Sequence, residues 1–154
     1  SEYNGNNPDY RKNPNTIASQ NIVLTIPLYP SEASYHQPTP LGAIGISRNG
    51  VVFYNQYAGP DQPLTTEINS FDQWAGHPQM RGEYHYHIEP IYLTTTFGPV
   101  ENDHVITNED LDAYHGHFSV TVDFPEGIYH YHINNEDPYL NGNGFFGTPG
   151  SITK

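Results

Sequence analysis

The chain contains no cysteine, which excludes disulfide staples, thiolate metal sites and cysteine nucleophiles together. Basic side chains are almost as scarce. Only Arg11, Lys12, Arg48, Arg81 and Lys154 occur in 154 residues, scattered, against 17 acidic residues, for a net charge of −12. Nucleic acid and anionic membrane surfaces both require clustered Lys and Arg, so neither is an expected partner. No apolar run approaches the ~20 residues needed to cross a bilayer. No leader peptide is recognisable, so the chain reads as cytosolic or already processed. Charged residues make up 14%, against an average of ~25%. In their place stand 13 tyrosines, 9 histidines, and 14 each of glycine and proline. Such a composition disfavours helix and favours strands and turns. The length suits one domain able to bury a core. The missing cysteine, acidic balance and scarce lysine lean toward a secreted or periplasmic home.

Residues 1–20 are rich in Asn and Pro without apolar spacing, and read as a polar arm or linker ahead of one β-rich domain over 21–154. A strand is expected over 22–29, where Pro27 ends it or keeps it at an edge. Residues 30–41 carry three prolines and read as a loop. The clearest local signal is a hairpin, 43–48 and 51–55, joined by Asn49-Gly50, a dipeptide suited to a type I′ turn. Ser70 is placed to cap a short helical piece over 71–75. Thr107 with Asp110 resembles a capping box, whose helical piece would stop near Gly116. Further strands are expected at 83–89, 91–97, 117–124 and 128–134. Residues 141–150 form a glycine-rich loop with Phe145 and Phe146 as anchors. The expected fold is therefore mostly β, antiparallel sheets in a sandwich or barrel-like arrangement, built from two related halves with one or two short helical turns.

Those halves are visible as an internal repeat. The first block runs from Asp72 through Gly76-His77 to Gly82-Glu83-Tyr84-His85-Tyr86-His87-Ile88. The second runs from Asp112 through Gly116-His117 to Gly127-Ile128-Tyr129-His130-Tyr131-His132-Ile133. Seven of the 9 histidines fall inside the two blocks. On a strand, side chains alternate faces, so His85 and His87 point one way and Tyr84 and Tyr86 the other. Histidines at i and i+2 sit ~7 Å apart at Cα, close enough for both rings to reach one metal ion. His77 and His117 are the third ligand of each set, with Gly76 and Gly116 letting the backbone turn over the strand. Asp72 and Asp112 are candidate acceptors behind the ligands, fixing the histidine tautomer. Two His₃ sites result (His77, His85, His87 and His117, His130, His132), or one shared site if a pseudo-twofold brings the strands face to face. The competing reading is packing, with tyrosines inward and histidines outward. His115 is an extra candidate ligand in the second set, while His36 and His104 stand alone. Imidazole without thiolate favours Zn²⁺ or Cu²⁺ over Ni²⁺ or Fe²⁺. The acidic stretch Glu101, Asn102, Asp103, Glu109, Asp110 and Asp112 could hold Ca²⁺, although it lacks EF-hand spacing and reads better as a solvated loop.

The chain resembles the YHYH-domain family, named for the Tyr-His-Tyr-His motif. The similarity rests on residues 49–60 (NGVVFYNQYAGP), on Gly76-His77-Pro78-Gln79, on both histidine strands, on Asp137-Pro138-Tyr139 and on Gly142-Asn143-Gly144-Phe145. It covers roughly residues 40–150. The family consists mostly of bacterial secreted proteins. The resemblance therefore implies an extracytoplasmic setting and a metal role, with no established reaction. In the family pattern a second hairpin precedes the second block, whereas here residues 91–99 pass straight through. The expected consequence is a bare sheet edge open to strands from other chains.

Three functions compete. The first is a secreted or cell-surface metal-binding module, structural or sequestering. The second is a self-assembling extracellular subunit, of a filament or surface layer, joined by strand donation from the N-terminal arm or at the bare edge. The third is a metal-dependent enzyme in which Asp72, Glu83, Asp112 or a tyrosine serves as acid or base. Nothing else specifies a reaction: there is no Gly-x-Ser-x-Gly, no His-Glu-x-x-His and no phosphate loop, so no catalytic residue is assigned. Carbohydrate binding through Trp74 is weaker still, because its place before His77 suits a buried anchor.

Overall fold

The computed structural model describes residues 3–97, 100–101, 104–142 and 144–154. The strands are β1 (Val23–Thr25), β2 (Gly45–Ile46), β3 (Val52–Phe53), β4 (Tyr57–Gly59), β5 (Gln62–Pro63), β6 (Gly76–Pro78) and β7 (Tyr84–Tyr86). After helix α1 (Ile91–Phe97) come β8 (Val100–Glu101), β9 (His104–Val105), β10 (Gly116–Ser119), β11 (Ile128–Tyr131) and β12 (Ser151–Thr153). The regular structure is mostly β, and the described sheets close into no barrel. The largest has the order β2-β3-β7-β6. It is mixed, because β3 and β7 run parallel while its other pairs are antiparallel.

The 45–53 hairpin forms where Asn49-Gly50 places it, but with a different turn. Gly50 N–H donates to the Ser47 carbonyl and Ser47 N–H to that of Val51, and of the Asn-Gly pair only Gly50 takes a positive φ, 82°. A type I′ turn needs positive φ at both residues. A three-residue loop with one left-handed glycine needs it only at the last. The Asn49 side chain reaches the hydroxyl of Tyr86, which fixes this loop over β7.

Residues 91–97 form a helix, not the expected strand. Their β-branched threonines favour a strand locally, yet Pro90 opens the segment, and the hydroxyls of Thr94, Thr95 and Thr96 donate back to the carbonyls of Ile91 and Tyr92. Residues 71–75 are not helical either. A 3-10 turn, Glu67–Ser70, ends before them, and Phe71 is already extended. Asp72 then organises a tight turn, its carboxylate accepting the amides of Trp74 and Gly76. Around Thr107 the capping box is present, but it serves a single 3-10 turn, Asn108–Asp110.

The polar segment read as an arm or linker lies extended along the first half from residue 7 onward. Arg11 N–H donates to the Asn69 carbonyl and Ala18 N–H to that of Gly82. Asn15 and Gln20 side chains donate to the carbonyls of Pro78 and Arg81. β1 pairs with β12 in a separate two-stranded sheet. The 30–41 loop is tied to the glycine-rich tail by bridges from Glu32 to Gly147 and Pro38 to Gly144. The apolar core is small: Val52, Leu64, Phe71, Tyr86, Leu140 and Phe145 with two alanines. Beside it, His77, His85, His87, Glu83 and Asn55 are equally buried. The first histidine cluster therefore sits inside the molecule.

Candidate metal centres

Each repeat block folds into the same device. A turn opens at Asp72 or Asp112, closed by Ala75 N–H or His115 N–H donating back to the aspartate carbonyl. A short strand follows and pairs antiparallel with the Tyr-His-Tyr strand. The register sets His77 opposite His85, and His117 opposite His130. The second histidine of each pair, His87 or His132, lies two residues on and hence on the same face. The sharp bend falls on Ala75 (φ 67°) and His115 (φ 61°), one residue before the glycines expected to supply it. Glycine is required at 76 and 116 for a different reason. A Cβ there would lie 2.6 Å from the Tyr84 ring or 2.5 Å from the Tyr129 hydroxyl, both of which cross the strand at that point.

Those tyrosines also account for the aspartates. The Tyr84 hydroxyl donates to Asp72 at 2.8 Å and that of Tyr129 to Asp112 at 2.9 Å. The aspartates thus hold the tyrosine face of each strand and do not reach the histidine rings. The acceptors behind the first triad are main-chain oxygens instead. His85 Nδ1 lies 3.1 Å from the carbonyl of Glu83, and His87 Nδ1 lies 2.6 Å from that of Asn55. His77 Nδ1 meets Ser70 Oγ at 2.6 Å and the Asn13 amide of the arm at 3.1 Å.

In the first triad, Nε2 of His85 stands 3.0 Å from that of His77 and 3.1 Å from that of His87. A carbonyl oxygen can only accept, so His85 and His87 each carry their proton on Nδ1. Their Nε2 lone pairs then face each other at hydrogen-bond distance with no proton between. Burial pushes the imidazoles further toward neutrality. His85 is lowered to about 3 by desolvation and then by the neighbouring His87 and His77. His77 is lowered to about 4 by desolvation and His87, and His87 to about 4 by desolvation. Converging neutral lone pairs are what a transition ion requires and what protons alone do not satisfy. The triad borders a cleft of about 290 Å³, lined also by Asn13, Tyr54 and Glu67.

The second triad repeats the arrangement nearer the surface. His132 Nε2 lies 3.1 Å from His117 Nε2, and His130 Nδ1 lies 3.2 Å from the Ile128 carbonyl. Within each triad one ligand atom per histidine lies within 4.8 Å of the others, and the triads are two separate groups, the second half-buried.

Other expected participants are engaged elsewhere. His115 is buried, with Nδ1 on the His132 carbonyl and Nε2 on Asn108, so it braces the second site from behind. His36 stacks on Tyr114. Trp74 is 44% exposed against Tyr92, not a buried anchor. Glu83, fully buried beside His85, accepts the Tyr54 hydroxyl and pairs with Lys154, both at 2.5 Å, while the Tyr54 ring stacks on His85 at 3.8 Å. Of the acidic stretch considered for Ca²⁺, Asp110 closes the capping box and Asp112 holds Tyr129; Asn102 and Asp103 lie outside the described residues, as do Gly98 and Pro99. Glu67, which no motif singled out, places Oε1 3.3 Å from His77 Nε2.

Comparison with known proteins agrees with the duplication. The family model described as YHYH protein matches the chain twice, over residues 23–107 and 96–144. No curated protein and no solved structure matches it. The first match contains the 45–53 hairpin and the first triad, and the shorter second match contains the antiparallel pair β8–β9, ahead of the second block where a through-running segment was expected, and the second triad. With the two matches together covering most of its length, the chain belongs to the YHYH protein family.

Proposed function

We propose that this is a secreted or cell-surface metal-binding protein, each histidine triad holding one transition ion, Zn²⁺ or Cu²⁺, in a structural or sequestering role. The observation that carries this reading is the tautomer of His85 and His87: main-chain carbonyls hold both Nδ1 protons and leave bare, neutral Nε2 atoms 3.1 Å apart in a buried site. An all-imidazole donor set suits Zn²⁺ and Cu²⁺. Such an ion supplies the positive charge the lone pairs face, and stabilises the folded chain because the unfolded one has no preformed site. Elemental analysis of tag-free protein purified without added metal is the test. About two equivalents of a transition metal are expected, falling to about one in the H85A/H87A double variant. No metal as purified and no uptake of Zn²⁺ or Cu²⁺ on titration would overturn the reading.

A second reading, self-assembly, is favoured by one asymmetry between the halves. β7 has a strand on each side, whereas the described residues give β11 only β10. On β10 and in the loop after it, Phe118, Val120 and Val122 are exposed. Ile26, Leu28 and Tyr29, just after β1, are exposed as well. A second copy laying its 22–29 segment along the β10–β11 sheet would cover both patches. Donor and acceptor lie on different parts of the chain, so the contact is heterologous and repeats into a ring or filament.

A further inference from the structure

A fully buried carboxylate lies beside the first triad, and three histidine ligands make no use of its oxygens. Glu83 stands one residue before β7 and is 0% exposed. The matching position of the second block is Ile128, so a strand of this kind forms with an apolar residue there. A charge placed so deep needs partners for its oxygens. Oε1 accepts the Tyr54 hydroxyl at 2.5 Å, and Oε2 meets the Lys154 ammonium at 2.5 Å. Lys154 follows directly on β12, which pairs with β1 in a sheet separate from that of β7. Tyr54 follows β3 and donates its N–H to the Tyr86 carbonyl at 2.8 Å, which sets it alongside β7. Its ring stacks on His85, centroids 3.8 Å apart and planes within 18°, and meets His87 edge-on at 5.6 Å. Behind His85, the Glu83 carbonyl accepts from Nδ1 at 3.1 Å. His85 is the middle ring of the triad, its Nε2 lying 3.0 Å from that of His77 and 3.1 Å from that of His87. A tilt of this one ring spoils both separations.

We infer that Lys154 and Tyr54 are positioning residues of the first metal site, joined through Glu83 into a bracket that holds the His85 ring at the angle an ion requires. This rests on the metal-binding reading, and deepens it by making β12 part of that site. The ammonium holds the carboxylate in place, the carboxylate holds the hydroxyl, and the hydroxyl fixes the ring against which His85 lies. Groups that orient a ligand from behind commonly govern metal affinity by about 10–100-fold. Coupling between two sites is reciprocal. An ion in the triad therefore strengthens the docking of β12 by the same factor by which the bracket strengthens metal binding.

The experiment is a competition titration of the full chain with Zn²⁺ and a chromophoric chelator, in an H117A/H130A background where only the first triad is complete. K154M keeps an unbranched stem at a side chain 46% exposed and removes the ammonium. It should weaken Zn²⁺ binding about tenfold. K154R, which restores the charge, should recover most of that loss. Y54F, which keeps the ring and deletes the hydroxyl, should weaken binding to a similar degree. In an E83Q background K154M should have no further effect, because Lys154 acts through Glu83. Circular dichroism of the metal-free variants verifies folding. Hydrogen exchange supplies a readout that alters no residue of the bracket. Saturating Zn²⁺ should slow exchange at residues 151–153 of the wild type about tenfold, and should not do so in H85A/H87A. Where the variants fail to fold, this exchange decides alone. Zn²⁺ affinity unchanged in K154M and Y54F, or exchange at 151–153 indifferent to bound Zn²⁺, would overturn the bracket and leave metal binding standing. Failure of the wild type to bind any Zn²⁺ would overturn both.

Discussion

At the scale of single residues, the first triad is a set of bases held neutral by burial. Unfolded histidine titrates near 6.5, whereas His77, His85 and His87 are lowered to about 4, 3 and 4 in the folded chain. Between pH 6.5 and about 4 the unfolded chain binds more protons than the folded one, so folding loses stability as pH falls through that window. Above pH 6.5 both states are neutral at these groups, and their contribution is constant. Melting temperatures of the metal-free protein should therefore be level from pH 8 to 7 and fall steadily from 6.5 to 4, with the fall smaller in H85A/H87A. A level profile through the window in wild type would mean that water reaches the rings. The six histidines and their division into two sets of three were legible in the sequence, because spacing on a strand fixes which side chains share a face. Their supporting atoms were not. The partners of His85 and His87 are backbone carbonyls, which carry no residue signature, and Glu67 sits on a separate turn where only tertiary packing brings it near.

At the scale of elements, success followed how local the determining forces are. The 45–53 hairpin and the Thr107 capping box depend on residues within a few positions, and both were legible. The helix α1 was missed because its threonine-rich composition points to a strand while Pro90 and hydroxyl back-bonds to the preceding turn decide otherwise. The parallel pairing of β3 with β7 joins Val52 to His85 and Phe53 to Tyr86, far apart in the sequence, and no local pattern announces it. Where the arm docks was not legible in its composition, because its contacts are polar and made one at a time. Its docking against the first half depends on Gly82, which takes φ +80° and would place a Cβ 2.7 Å from both Ala18 N and Thr16 O. G82A should cost about 1–3 kcal/mol through strain and overpacking and release the arm. Limited proteolysis, with mass analysis of the fragments, should then show cleavage within residues 10–20 well before any in the histidine strands. Equal resistance in wild type and G82A would mean that the arm is held by other contacts. Because Asn13 reaches His77, arm release should also loosen the first site and spare the second.

At the scale of the whole molecule, one local device is built twice with unequal support. The first copy is sandwiched between the β2–β3 hairpin and the arm; the second is a two-stranded sheet with Phe118, Val120 and Val122 exposed. Opening free energies follow such differences in burial and strand pairing. In hydrogen exchange on dilute protein, the β11 amides should therefore exchange ahead of those of β7. Association changes this in a definite way. A strand from a second copy on the β10–β11 sheet protects β11 and covers Phe118 without altering β7. Raising protein concentration should then slow exchange at β10 and β11 alone, together with residues 22–29 of the donor. The net charge of −12 opposes association between copies at low ionic strength, so added salt should strengthen the effect until screening is complete. V122K places a charge where the donor segment would lie, the means by which natural edge strands stay unpaired. It should abolish the concentration dependence and leave metal content unchanged, whereas exchange independent of concentration and salt in wild type would show that the second half stays open and the chain acts as a monomer.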